Sequence, residues 1–312
     1  KKHNPHLNAL VYLDEKKALN KAKEADKALK LGKNWGRLHG LPISIKDTFE
    51  VEKMPCTAGN PLWKNHIATK HAFAVQKLVD EGAIVFGKSN TPLNASDIQS
   101  YNDIYGTTNN PWHIKYTPGG SSGGAASAIS SGMSPIELGS DIGGSIRIPT
   151  HFCGIYGHKP SYGVVSEMGH IPPPPQTPFF GNGLSVAGPL ARSAKDLKLA
   201  LEILKGPHIL DQKAWQIKLP KSRKKKLEDF RVGLWIDDPY CPVDHDVLKA
   251  LKHVVKHLKH ENVTVSKKKP PIPFRDIDEV YANLLNPLIM AGAPQQIFDD
   301  LENYLKTKKP KK

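Results

Sequence analysis

An α/β architecture with a mixed, twisted sheet and helices on both faces is what this sequence predicts, and three observations predict it. Helix-like and strand-like segments alternate along the chain, strand-length apolar runs sit between Gly and Pro punctuation, and several amphipathic stretches close on glycine. Residues 14–31 read as a helix, with Ala18, Ala22, Ala25 and Leu29 on one face and Gly32 as the stop. Residues 42–45 form a short strand ending at Lys46-Asp47. Residues 71–81 are helical up to Gly82, and 83–86 follow as a buried strand. Residues 124–131 make a helix of small side chains, able to lie close against neighbouring backbone, and 134–138 make a strand feeding a loop over 139–147. Residues 172–175 are a rigid polyproline turn or loop. Ser193 caps a helix that runs to Lys205, with Asp196 three residues on and Gly206 past its end. A strand–helix–strand unit follows over 231–236, 244–260 and 263–266, then helices over 276–291 and 295–305 and a basic tail over 306–312. The simplest division is an N-terminal helical segment over 1–35, a core over 36–206 and a C-terminal extension of the same domain over 207–312.

A chain of 312 residues, 39% hydrophobic and 24% charged, can bury one large core or two small ones. No run approaches the roughly 20 apolar residues of a membrane span. The first residues carry no apolar signal segment, although a chain that does not begin with Met leaves a leader open. Cys56, Cys153 and Cys241 are odd in number and far apart. They offer neither a disulfide framework nor a metal spacing, which suits a reducing cytoplasm. The formal net charge is +14, yet residues 36–205 hold 14 Lys+Arg against 12 Asp+Glu. The basic excess therefore lies in the flanks, over 221–226, 267–269 and 306–312, as solvated charge runs. No nucleic-acid partner is expected.

The chemistry is concentrated between Thr117 and Pro149. Thr117-Pro-Gly-Gly-Ser121-Ser122-Gly-Gly-Ala-Ala-Ser is followed by Gly139-Ser-Asp141-Ile142-Gly143-Gly144-Ser145-Ile-Arg147-Ile-Pro149. A flexible linker would need low hydrophobicity, and the apolar stretches 125–129 and 136–138 argue for tight loops on a packed scaffold instead. Consecutive N–H groups of Ile142, Gly143, Gly144 and Ser145 are able to converge on one oxygen as an anion nest. Residues 82–89 match a phosphate-loop pattern in letters, but their middle, Ala-Ile-Val-Phe, reads as an apolar strand. Residues 119–123 match a nucleophile elbow without a good strand before them. His253, His257 and His260 share a helix face crowded by Lys256 and Lys259, which reads as solvated surface and not a metal site.

These segments resemble the amidase signature family, whose fingerprint is a Gly-Gly-Ser-Ser-Gly-Gly block followed by Asp-x-Gly-Gly-Ser-x-Arg-x-Pro. The strand ending Ile45-Lys46-Asp47, the segments 88–92 and 105–112, and Phe152-Cys-Gly154 through Pro160 are similar too. The likeness runs from about Gly36 to Gly206, closer to bacterial general amidases than to fatty-acid amide hydrolases. It implies an amide hydrolase that cleaves linear amides through an acyl-enzyme on Ser145. Ser121, on a cis peptide, would bridge to Lys46 as base, the Ile142–Ser145 amides would hold the oxyanion, and Ser122, Asp141 and Arg147 would support the loops. The chemistry is consistent: a serine hydroxyl needs a base, neither Gly/Ser block holds a His, and burial favours a neutral lysine. No cofactor or metal is called for. The expected partner is a small-molecule amide, and self-association into a homo-oligomer stays open. Two other readings remain. One is the amidase subunit of a glutaminyl-tRNA amidotransferase, against which Ile142 and Ile148 stand where that variant has Thr and Gln. The other is a truncated, inactive relative acting by binding, since the C-terminal part of the family's domain is expected to be incomplete here.

Overall fold

The computed structural model describes residues 2–175, 177, 181–290, 298–300 and 302–303. The chain divides into two compact units, Lys1–Ile217 and Lys218–Lys312. The first contains, in chain order, β1 (Leu10–Leu13), α1 (Glu15–Lys30), β2 (Pro42–Lys46), α2 (Phe73–Asp80), β3 (Ile84–Ser89), α3 (Gly123–Ser130), β4 (Ile136–Asp141), α4 (Arg147–Cys153), β5 (Tyr156–Gly157), β6 (Val186–Ala191) and α5 (Ala194–Leu204). These six strands make one sheet in the order β1-β3-β2-β4-β6-β5, and Tyr101–Asn102 and Gly106–Thr107 pair separately. The β3–β2 and β2–β4 pairs are parallel, and β1–β3, β4–β6 and β6–β5 are antiparallel. The sheet is mixed, as the alternation of elements predicts.

Local chemistry sets the boundaries. The Asp14 carboxylate accepts the Lys17 N–H at 3.1 Å to start α1, and Gly32 at φ +69° follows its end. Ser193 accepts the Asp196 N–H at 3.0 Å and donates to its carboxylate at 2.7 Å, which opens α5. In β2 the period of two sends Ile43 and Ile45 to one face and Ser44 and Lys46 to the other. Ile43 and Ile45 are fully buried against Val75, Leu78, Ala200, Ile203 and Leu204 of α2 and α5, each worth about 1.5–3 kcal/mol. The opposite face is covered by α3 and α4, through a smaller cluster of Ala125, Ala126, Ile129, Ile146, Cys153 and Leu190. A Cβ on Gly124 would stand 2.3 Å from the Asn90 backbone nitrogen, so only glycine lets α3 come this close to the chain leaving β3.

Three segments differ from the sequence reading. β1 lies within the stretch expected to be helical and pairs with β3 (Leu10 opposite Ser89). The loop expected over 139–147 is shorter, because β4 continues to Asp141 and α4 begins at Arg147. Pro149 is tolerated there because the first turn of a helix needs no N–H from it. β6 contains Gly188-Pro189, a pair that argues against a strand, yet it pairs with β4 along its whole length. The segment with phosphate-loop spelling contains strand β3, as its apolar middle demands.

The second unit contains β7 (Arg231–Leu234), α6 (His245–His260), β8 (Thr264–Lys267) and α7 (Phe274–Met290), with β7 and β8 parallel. The helix expected over 295–305 lies largely, and the tail over 306–312 wholly, outside the described residues. Among the described residues no helix is long and apolar enough to cross a membrane.

Candidate active site

Lys46 closes β2 and is fully buried. Its Nζ lies 2.7 Å from Ser121 Oγ and 3.1 Å from Ser140 Oγ. Ser121 stands two residues before α3, after a cis Gly120–Ser121 peptide, and its carbonyl accepts the Ser100 hydroxyl at 3.3 Å. Burial drives Lys46 down to about 7, against the pull of the Asp141 and Glu137 carboxylates. The neutral amine is therefore accessible near neutral pH, which an exposed lysine does not offer.

Ser145 sits between β4 and α4, 9% exposed, at the end of a loop that Asp141 organises. The Asp141 carboxylate accepts the Gly144, Ile146 and Arg147 N–H groups at 2.8, 3.0 and 3.3 Å, and the Arg147 guanidinium at 3.0 and 2.8 Å. Burial alone would raise Asp141; these donors outweigh it and hold the carboxyl below its ordinary range. The Arg147 side chain is 55% exposed while Asp141 is fully covered, so the pair fixes a loop at the surface of the site. Gly144 takes φ +117°, a conformation that favours glycine, and its N–H points at Asp141. Of the four amides expected to hold an oxyanion, that of Gly144 is thus committed to the loop's own clasp.

The Ser122 N–H donates to the Ser145 carbonyl at 3.1 Å, and the Ser122 hydroxyl reaches the Ser140 carbonyl at 3.4 Å. Ser122 therefore ties the two Gly/Ser blocks together. No hydrogen bond joins the Ser121 and Ser145 hydroxyls among the described residues; their loops are linked through the backbone and hydroxyl of Ser122. Lys46, Ser121, Ser122, Asp141, Ser145 and Arg147 are brought to one end of β2 and β4.

Sequence reasoning missed four further groups. Ser140 lies inside the second Gly/Ser block, whose pattern gives it no role, and His170, whose Nε2 lies 2.9 Å from Ser140 Oγ, is remote in sequence. Glu137 is fully buried, accepts Ser89 Oγ at 2.7 Å and the Ser44 hydroxyl, and is pushed up to about 7 by burial. Lys88 is also fully buried: it stands 3.4 Å from Asp47 and donates to the Phe49 and Pro55 carbonyls at 2.6 and 3.2 Å. The alternation Ser44, Lys46 against Ile43, Ile45 was the one signal that pointed to a polar layer on this face. Lys88→Met is expected to destabilise the protein by about 3–5 kcal/mol, because it strands the Asp47 carboxylate without its partner. Urea midpoints of parent and variant measure this, and Asp47→Asn combined with Lys88→Met should cost less than Lys88→Met alone.

Fold and site define an α/β protein in which a buried lysine lies against Ser121, near a second serine on a clasped glycine loop, and no histidine is hydrogen-bonded to Ser121 or Ser145 among the described residues. The model of the Amidase family matches residues 1–308, and the chain belongs to that family. It is 36% identical over 255 residues to a glutamyl-tRNA(Gln) amidotransferase subunit of Legionella pneumophila (strain Corby), covering 81% of this chain and 50% of that protein. The fold is similar to that of a fatty acid amide hydrolase, with a TM-score of 0.80 and 28% identity over 91% of this chain and 50% of that one. It is likewise similar to a bacterial aryl acylamidase of the amidase signature enzymes, with a TM-score of 0.80 and 25% identity over 96% and 61% of the two chains. The chain spans about half the length of the curated relatives it matches.

Proposed function

We propose that this chain carries the catalytic core of an amide hydrolase, over residues 36–206, that cleaves a linear carboxylic amide to acid and amine or ammonia. The observation that carries this reading is the fully buried Lys46 amine 2.7 Å from Ser121 Oγ, beside the loop of Ser145. Ser145 Oγ attacks the amide carbon and passes its proton to Ser121 as the Ser121 proton moves to neutral Lys46. The oxyanion is held by the Gly143 and Ser145 amides, with Ile142 in the same loop, at roughly 3 kcal/mol per donor. The C–N bond then breaks, and the leaving nitrogen takes the proton back from Lys46 through Ser121. Water, deprotonated by the same relay, cleaves the Ser145 ester to the acid and restores the serine. No cofactor enters these steps. Three free cysteines suit a cytoplasmic setting.

Fluorophosphonate labelling with peptide mapping, run beside a panel of aryl, aliphatic and fatty amides, tests the reading. The label is expected on the peptide containing Ser145; a label on Ser121 overturns the assignment and favours a nucleophile elbow. The curated relatives favour a second reading, in which the chain is the amidase component of an amidotransferase working with partner chains. Ile148 stands against it, because an apolar side chain lies over Gly144 where that variant has a Gln amide; a Cβ on Gly144 would lie 2.6 Å from Ile148 Cδ1. Turnover of simple amides by the isolated chain separates the two readings, since a component that needs its partners should show little.

A further inference from the structure

We propose that Ser140 and His170 are positioning residues which fix the direction of hydrogen bonding at Lys46, so that the Lys46 lone pair is presented to Ser121. The inference rests on the reading of Lys46 as base and extends it to two residues that neither motif assigns. The Pro172 carbonyl oxygen cannot donate. His170 Nδ1 lies 3.2 Å from the Pro172 carbonyl, so Nδ1 must carry the hydrogen. In a neutral ring Nε2 is then an acceptor, and its neighbour at 2.9 Å, the Ser140 hydroxyl, must donate to it. With its only hydrogen committed, Ser140 Oγ faces Lys46 Nζ, 3.1 Å away, solely as an acceptor. One Lys46 N–H is thereby pinned on Ser140, and the lone pair of the neutral amine is left for the Ser121 hydroxyl at 2.7 Å.

The ring is held for this task. His170 is buried, packs edge-on against Phe49 with centroids 4.8 Å apart, and its backbone pairs with Phe49 while Ile171 N–H donates to Thr48. Burial first, and the nearby Lys46 second, drive the imidazole down to about 3, so it stays neutral across the working range. Lys46 is the titratable side chain that acts on it; Asp141 and Glu137 act on Lys46 from β4. Without the ring acceptor, the Ser140 hydroxyl is free to turn its hydrogen onto the Lys46 lone pair and compete with Ser121 for the base.

The test has a spectroscopic and a kinetic arm on the full chain. Ring nitrogen NMR of uniformly labelled protein, with His170 assigned by its loss in His170→Gln, should show the Nδ1–H tautomer from pH 5 to 9, the minor form of free histidine. His170→Leu should slow fluorophosphonate acylation of Ser145 about tenfold, a fraction of what a positioned base contributes. His170→Gln, whose amide oxygen can accept from Ser140, should recover most of that loss. In a Ser140→Ala background, His170→Leu should cost little more, because the two act through one hydrogen bond. An Nε2–H or protonated ring, a His170→Gln as slow as His170→Leu, or additive losses overturns the inference. An Nδ1–H ring with the label elsewhere than Ser145 supports the hydrogen-bond direction and overturns the functional reading instead.

Discussion

Ser145→Ala is expected to remove turnover essentially completely, whereas Ser121→Ala should leave activity reduced by about 10² to 10⁴. The asymmetry follows from what each hydroxyl does in the proposed steps. Ser145 forms the covalent bond, and an alanine has no hydroxyl to form it. Ser121 carries a proton between two partners, and a water in the space left by its hydroxyl can do this poorly. Neither change removes packed carbon, so both variants should melt close to the parent, and kcat measured on folded protein decides. Retention of turnover in Ser145→Ala with complete loss in Ser121→Ala would transfer the nucleophile to the other loop.

Activity should rise about tenfold per pH unit below roughly pH 7 and level off above it, because only deprotonated Lys46 accepts a proton. Burial places that titration at about 7, and Glu137, raised to about 7 by its own burial, titrates beside it. The acid limb therefore reports the pair and not one residue. Lys46→Ala should abolish the limb and slow amides by about 10² to 10⁴, and activated esters less, since their leaving groups need no proton. Full amidase activity in Lys46→Ala would sink the assignment. Stability carries the same signature with a definite sign. Lys46 falls from an ordinary 10.5 to about 7 on folding, so between those values the unfolded chain binds a proton that the folded one has released. Stability should accordingly increase with pH across that window, and Lys46→Met should flatten the slope.

What could be read from the sequence was local. α1 and α5 announce themselves through Gly32, Ser193 and Asp196, and the structure keeps the Ser193 cap and the stop at Gly32. Lys46, Ser121 and Ser145 stood out because three separated motifs carried them in order. β6 was illegible because Gly188-Pro189 contradicts strand propensity, and pairing with β4 along its length and with β5 at its end holds it extended. β1 was lost beside the long helix signal that follows it. His170 was invisible for a different reason: its partner lies 30 residues away, and no spacing rule links a histidine to a serine on a strand it does not follow. Contacts made across the fold leave no mark in a window of neighbouring residues.

Lys46, Ser140 and Asp141 are not loop residues: they end β2 and β4, the two strands at the middle of a six-stranded sheet. Strands with a partner on each side open only when the whole sheet opens, while edges fray at far lower cost. In hydrogen–deuterium exchange the amides of Ile45 and Leu138 should thus be among the last of the first unit to exchange, well after those of β1 and β5. It follows that warming should not loosen the base before the protein melts. If the proposed activity holds, turnover and the slowest-exchanging amides should disappear in the same narrow interval of temperature, so that function fails all at once and does not fade.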